Sequence, residues 1–349
     1  MGSLMDNTKW QAGINLGGWI SQYPIFEHEH FKTFILGEDI KRIAGWGADH
    51  VRLPVDYPVL ESDQTPGVYH ESGFGYIESC LNWCQDNQLD LILDLHKAPG
   101  YAFDALSEST LFTNAGLQNR YVELWAAIAE RYAGQRQDSL AFELLNEIVL
   151  PDSGPWNDLI SRVVARIRAI DPGRLIIVGG NNYNSPDELK NLRILDDPTI
   201  LYAFHFYAPL TVTHQKAPWV PALVDYNQQV NYPGQAPGLD AFLEKHPQHR
   251  GRLGAETGKR FDKDYLRSIL QTALAFRQET GKPIYCGEFG VYEIAPPATR
   301  VNWTRDVIDL LREHVVGHAI WTYKALDFGL VDQTGSVVNQ ELIDLSLRK

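Results

Sequence analysis

Two short carboxylate motifs carry the chemistry of this chain: Asn146-Glu147, at the end of Phe142-Glu143-Leu144-Leu145-Asn146-Glu147, and Gly287-Glu288-Phe289-Gly290, after Pro283-Ile284-Tyr285-Cys286. Each glutamate stands just past an apolar run that reads as a buried strand. They lie 141 positions apart (288 minus 147), so only a closed fold brings them together. Two glutamates facing each other at strand ends are what glycoside hydrolysis requires. One acts as acid and base and the other as nucleophile, about 5 Å apart if anomeric configuration is retained.

Other strand ends add to the pair. Arg52, His96, Asn146, His205, Tyr207 and Trp321 all read as polar or aromatic residues at the carboxyl ends of strands, where barrel enzymes build their sites. A general acid needs a raised pKa, which partial burial beside apolar neighbours gives Glu147. Glu288 must instead be ionised, with Arg52 as the nearby cation and Tyr207 as a hydroxyl donor. Asn146 suits the 2-hydroxyl of the reacting sugar, His205 electrostatic support of the acid, and Trp321 a flat apolar sugar face. Three other groups receive plainer readings. Glu143 is expected to be a buried structural carboxylate paired with a base, and Asp94 to anchor a loop or helix end. Glu27-His28-Glu29-His30, although ligand-like in composition, is expected to be a solvated loop and not a metal site.

These residues need a scaffold. Strand-like runs begin at Gly13, His50, Leu89, Leu140, Leu175, Leu201, Ile284 and His318, and helical patterns separate them. After Leu117, for example, Tyr121, Leu124, Trp125, Ile128 and Tyr132 share one helical face. Eight strand–helix repeats without a compositional break predict a single α/β domain over residues 6–349, a (β/α)8 TIM barrel. An open doubly wound sheet would need a Gly-rich phosphate loop after its first strand, and none is present. Residues of about 209–262 interrupt the rhythm between strand 6 and helix 6 and far exceed a usual βα loop. Their aromatic anchors Trp219, Tyr226 and Tyr232 predict an ordered subdomain inserted on the catalytic face. Residues 1–5 read as an added or unstructured start.

Composition narrows the partners. A formal net charge of −13 argues against nucleic acid or an anionic membrane surface, because binding polyphosphate takes clustered Lys and Arg. Nine Trp and sixteen Tyr are divided between core and sugar platforms. Three cysteines, Cys80, Cys84 and Cys286, without C-x-x-C or zinc spacing, read as reduced packing residues. No run reaches the ~18 apolar residues of a membrane span, and the start lacks a basic, then apolar, leader. The expectation is a monomeric cytoplasmic protein, or a secreted one if a leader has been removed.

With the residues assembled, the chain resembles the family five glycoside hydrolases of the large retaining barrel clan, most closely the bacterial endoglucanase C type. The matching pieces include Gly13-Ile14-Asn15-Leu16-Gly17-Gly18-Trp19, His50-Val51-Arg52-Leu53-Pro54, Asp94-Leu95-His96-Lys97-Ala98-Pro99-Gly100-Tyr101 and Glu143-Leu144-Leu145-Asn146-Glu147. Further along come Gly180-Asn181-Asn182-Tyr183-Asn184-Ser185, His205-Phe206-Tyr207, Gly287-Glu288-Phe289-Gly290 and Trp321-Thr322-Tyr323-Lys324. The resemblance implies retaining hydrolysis of β-1,4 or mixed-linkage β-glucans, oligosaccharide or polysaccharide, by an endo-β-glucanase with no metal or organic cofactor. It implies Glu147 as acid/base and Glu288 as nucleophile, with Arg52, His96, Asn146, His205, Tyr207 and Trp321 in supporting positions. Lys97, Ile148 to Pro151 and Ala208 depart from the family pattern around the substrate cleft. An exo-acting β-glucosidase or exo-β-1,3-glucanase, a β-mannanase and a non-catalytic carbohydrate-binding barrel stay as alternatives.

Overall fold

In the computed structural model, which describes residues 9–347, eight parallel strands close into one barrel in chain order. They are β1 (Ala12–Asn15), β2 (His50–Asp56), β3 (Asp90–Lys97), β4 (Leu140–Glu143), β5 (Leu175–Gly179), β6 (Ile200–Phe206), β7 (Ile284–Phe289) and β8 (Gly317–Ile320). β1 pairs with both β2 and β8, which completes the ring. The expected (β/α)8 architecture is therefore present. The start assigned to residues 1–5 lies outside the described residues.

The strands are apolar runs because both of their faces are covered. Along β3 the alternation puts Leu91, Leu93 and Leu95 in the large core between barrel and helices, while Ile92 belongs to a separate lumen cluster with Trp10, Ala141, Ile177, Leu201, Ala203, Tyr285 and Ala319. The period of two then carries Asp94 and His96 onto the same face as Ile92, higher in the barrel. This explains one difference from the sequence reading. Arg52 is the third residue of seven in β2 and not its end, because the strand continues through Leu53-Pro54-Val55-Asp56 around a lumen that holds charge.

β7 contains the local irregularity that matters most. Phe204 pairs with Cys286, but His205 pairs with Glu288, so Gly287 is an extra residue on the β7 side. Tyr285 faces the lumen and Cys286 the outer core. Without the bulge, alternation would turn Glu288 outward; the inserted residue restores it to the lumen. A side chain at position 287 would crowd the His205 ring, only 3.3 Å from where its Cβ would stand.

Long helices follow most strands: Glu71–Asp86, Ala115–Tyr132, Gly154–Arg168, Lys263–Thr280 and Pro297–Glu313. The Ala115–Tyr132 helix buries Tyr121, Leu124, Trp125, Ile128 and Tyr132 as its spacing predicts. β1 and β8 are followed by the shorter helices Gly37–Gly45 and Gln340–Ser346, and β5 departs furthest from the repeat. A turn with left-handed Asn182, Tyr183 and Asn184 (φ 48°, 57° and 57°) and then Pro186 prevents a long helix, leaving a 3-10 segment over Pro186–Asn191.

Between β6 and the Lys263–Thr280 helix lies the inserted segment, with short helices at Leu210–Thr213, Pro221–Tyr226, Leu239–Lys245 and Arg250–Leu253. Val212, Leu223, Tyr226, Val230, Leu243, Leu253 and Phe261 are buried in it. Buried Glu256 accepts the backbone N–H groups of Leu210 and Thr211 and the Thr211 hydroxyl. Tyr232 seats the segment on the Pro297–Glu313 helix, its hydroxyl 2.7 Å from Asp306. Trp219 stays 47% exposed, whereas Trp19, Trp125, Trp156 and Trp303 are fully buried core. All three cysteines are buried free thiols.

Candidate active site

Arg52 is the hub of the barrel mouth. Its Nε and Nη2 donate to Glu143 at 2.7 and 3.0 Å, and Nη1 donates to Glu288 Oε1 at 2.7 Å and to Asn15 Oδ1 at 2.9 Å. Nη2 also reaches Asn146 Oδ1 at 3.0 Å and Asp94 Oδ2 at 3.1 Å. Burial alone would lower the arginine's pKa, but Asp94, Glu143 and Glu288 outweigh it and hold the cation well above its ordinary value. Glu143 is thus the structural carboxylate its sequence context suggests. Asp94 differs from its reading: it anchors neither a loop nor a helix end, but holds His96 Nδ1 at 2.6 Å as well as Arg52.

The two glutamates converge from opposite sides of the mouth, one ligand oxygen of each lying within 4.8 Å of the other and of His205. Glu288 is the better supported. Arg52 bonds one of its oxygens, and the Tyr207 hydroxyl donates to the other at 3.0 Å. Glu147 has no cation in direct contact among the described residues; His205 Nδ1 lies 2.9 Å from its Oε1. Burial pushes both carboxyls up, Glu147 to about 8 and Glu288 to about 7. Arg52, in contact with Glu288, offsets part of that rise, while Glu147 feels Arg52 and Arg252 only from a distance. Glu147 is therefore the proton holder although its side chain is the more open, 12% exposed against 6%. Burial lowers His205 to about 4, so the imidazole is neutral beside both glutamates.

Local structure aims the acid. Leu144 O accepts from both the Tyr121 hydroxyl and Trp125 Nε1, and Asn146 N–H donates to Leu95 O on β3. The chain then turns sharply, with Glu147 at φ 39°, a left-handed conformation that costs a glutamate about 1–3 kcal/mol. The Tyr101 hydroxyl clamps this turn, donating to Glu147 O and accepting from Val149 N–H, both at 2.8 Å. Asn15, within β1, sends Nδ2 to Gly287 O at 3.0 Å and so fixes the bulge under the nucleophile candidate. Sequence reasoning missed Tyr101 and Asn15. Asn15 had left a signal as the lone polar residue of an apolar strand.

Several buried atoms at the mouth have no partner among the described residues: Asn146 Nδ2, His205 Nε2 and Asp94 Oδ1. Asn146 uses its oxygen on Arg52, which leaves its N–H groups for a hydroxyl. Trp321 lies parallel to the His96 ring, with centroids 5.6 Å apart, and Gly17 is needed because a Cβ there would meet the indole at 2.7 Å. All eight sequence-assigned residues thus gather at one mouth.

Glu147, His205 and Glu288 have a composition that a cation accepts, but both Glu288 oxygens already carry donors, one of them cationic Arg52. The set is arranged to move protons. At Glu27 to His30 the expected loop is instead a short helix, His28–Thr33, anchored by buried Phe31. His28 bonds the Tyr76 hydroxyl and His30 the Gly18 carbonyl, so the two rings are held apart on separate partners.

Comparison with known proteins bears on the family and the fold. The family model described as Cellulase (glycosyl hydrolase family 5) matches residues 13–327. The chain is 48% identical to Endoglucanase C of Acetivibrio thermocellus over 340 residues, covering 97% of this chain and 98% of that protein. It is 32% identical to Cellodextrinase A of Ruminococcus flavefaciens over 344 residues, 97% and 93% of the two. Among solved structures, Thermotoga maritima Cel5A in complex with cellobiose superposes with a TM-score of 0.79 at 23% identity over 99% of each chain, a likeness of fold.

Proposed function

The chain belongs to glycosyl hydrolase family 5, and from that premise we propose that it is an endo-acting β-glucanase cleaving β-1,4 or mixed-linkage glucans with retention of configuration. One observation carries the stereochemistry: carboxylate oxygens of Glu147 and Glu288 lie within 4.8 Å of each other. Retaining pairs stand ~5–5.5 Å apart, and inverting pairs ~6.5–9.5 Å, to admit a water.

In the first step Glu288 attacks the anomeric carbon while Glu147 gives its proton to the departing glycosidic oxygen. The products are a covalent glycosyl ester on Glu288, a shortened sugar chain and an ionised Glu147. In the second, Glu147 takes a proton from water as that water's oxygen displaces Glu288, which restores both groups. Arg52 and Tyr207 keep Glu288 ionised and aligned. Asn146 Nδ2 meets the 2-hydroxyl, a bond that strengthens as positive charge develops at the anomeric carbon. The Trp321 face and His96 hold the sugar on the glycone side. The inserted segment roofs part of the cleft, with Trp219 against Tyr292 and Phe328.

A second reading, action from chain ends or on short oligosaccharides, draws support from the relative named Cellodextrinase A. Viscosity loss against reducing ends released, on a panel of β-1,4, β-1,3 and mixed-linkage glucans, separates the two. Early viscosity collapse on β-1,4 or mixed-linkage glucan, with the β-anomer as first product by NMR, is expected. Slow viscosity loss with glucose as sole product would favour the second reading, and an α-anomer would overturn the retaining pair.

A further inference from the structure

The line from Glu147 to Glu288 divides the mouth into two arcs. β8, β1, β2 and β3 carry Trp321 and His96 on one side; β5 and β6, with their connections, form the other. A sugar chain cleaved between the carboxylates crosses that line, so its halves rest over opposite arcs. With the glycone over Trp321, the leaving group lies over β5 and β6.

Two separate pieces of chain meet on that arc. The Arg252 guanidinium, from the inserted segment, lies 4.7 Å from the ring centroid of Tyr183, from the β5 turn. Arg252 is exposed and makes no hydrogen bond or ion pair among the described residues. Its N–H edge is therefore open while its face is stacked. Tyr183 is coupled to the acid: its N–H donates to Ile148 O at 3.1 Å, one residue beyond Glu147. Asn181 reinforces the link, accepting from Leu150 N–H at 2.8 Å and donating to Leu150 O at 2.9 Å. A cavity of about 570 Å³ opens alongside, lined by Val149, Leu150, Asp152, Asn181, Asn182 and Glu188. Arg252 is also the only cation besides Arg52 whose charge is felt at Glu147 among the described residues.

We propose that Arg252 and Tyr183 form a clamp on the leaving-group side, a specificity-determining and positioning pair that grips the departing sugars and steadies the loop of the acid. The proposal rests on the acid/base role of Glu147 in the function proposed above. Tyr183 supplies a ring face and Arg252 an array of donors for sugar hydroxyls. The clamp exists only because the insertion reaches across to the β5 turn. Other charged or titratable groups around Glu147 are Arg52, His205, Glu288, Asp94, Tyr101 and Tyr207, of which His205 and Tyr207 come from the β6 side of this arc, and Arg252 itself stands near Glu256 and His214.

The test compares cellopentaose, whose leaving group spans the arc, with an aryl β-cellobioside, whose leaving group is one ring. Arg252→Ala should lower kcat/KM for cellopentaose about tenfold more than for the aryl substrate. Losing the positive charge should also raise the pKa of Glu147, so the alkaline limb of the pH profile moves upward. Arg252→Lys should return the limb towards wild type but recover the cellopentaose loss only in part. Tyr183→Ala should reproduce the selective loss with the limb close to wild type. Equal losses on both substrates with an unmoved limb would overturn the clamp. Wild-type enzyme inactive on both substrates would instead refute the proposed function.

Discussion

Arg52 and Arg174 are both fully buried, yet they do opposite work. Arg174, just before β5, makes one ion pair, with Asp171, and otherwise donates to the carbonyls of Tyr132, Gln135, Arg136 and Leu140. It ties the end of the Ala115–Tyr132 helix to the start of β4 and β5. Arg52 meets three carboxylates and two asparagines. The consequence shows in their acidities: burial lowers Arg174, with Asp171 only partly offsetting it, whereas the carboxylates around Arg52 outweigh burial and raise it. A cation matched one to one is cement. A cation with more negative charge around it than it can neutralise stays charged and leaves a carboxylate free to react.

Removing the reactive member is the strongest way to sharpen that contrast. Glu288→Ala should lower kcat by roughly 10⁵, as loss of a nucleophile does in other hydrolases. The melting temperature should move little, because Glu143 and Asp94 still pair with Arg52. Added azide should enter the vacated side and yield the α-glycosyl azide. A residual rate within tenfold of wild type would break the assignment of Glu288.

Exchanging the cations gives the next largest effect. Arg174→Met leaves Asp171 without its cation, held only by Gln137, and strips the donor from several carbonyls, and should cost about 3–5 kcal/mol of stability with kcat of the folded enzyme as in wild type. Arg52→Met should lower kcat by roughly 10³, comparable to deleting an electrostatic donor at a reacting centre. Thermal melts and active-site-titrated kinetics on the same preparations decide it. If Arg174→Met depressed kcat as deeply as Arg52→Met, the distinction between cement and reactive hub would fail.

The contrast also explains what was legible in the sequence. Strands were readable because a parallel barrel covers both faces and leaves uninterrupted apolar runs. Glu147, Glu288 and Tyr207 were readable because they follow such runs. Arg52 was found but misplaced, since a charged residue looks like the end of a buried strand unless a charged lumen is foreseen. Asp94 was undervalued for the same reason: its partners, Arg52 and His96, meet only across the closed barrel. The β7 bulge at Gly287 cannot be read from a Gly-Glu-Phe-Gly string, because only pairing with β6 reveals the extra residue. In the β5 turn and the insertion, left-handed residues and prolines interrupt every helical period. Arg252 and Tyr183 therefore came together only in three dimensions.

The finest test probes a single hydrogen bond within the reactive half. Tyr207 donates to Glu288 Oε2 at 3.0 Å, and its own hydroxyl is held well above its usual pKa by burial, then by Glu288 and Glu147, so it remains a donor. Glu288 must be ionised to attack, and burial, offset in part by Arg52, leaves it at about 7. Activity is thus lost as pH falls through that value, while loss at high pH follows deprotonation of Glu147 at about 8. The profile should be a narrow bell whose limbs belong to the coupled pair. Tyr207→Phe removes a donor that favours the charged form, so the Glu288 pKa rises and the acidic limb moves to higher pH by about half a unit to one. The alkaline limb should stay nearly in place, because His205 and not Tyr207 touches Glu147. Movement of the alkaline limb alone would mean that the hydroxyl serves the acid, and the separate support of the two glutamates would fall with it.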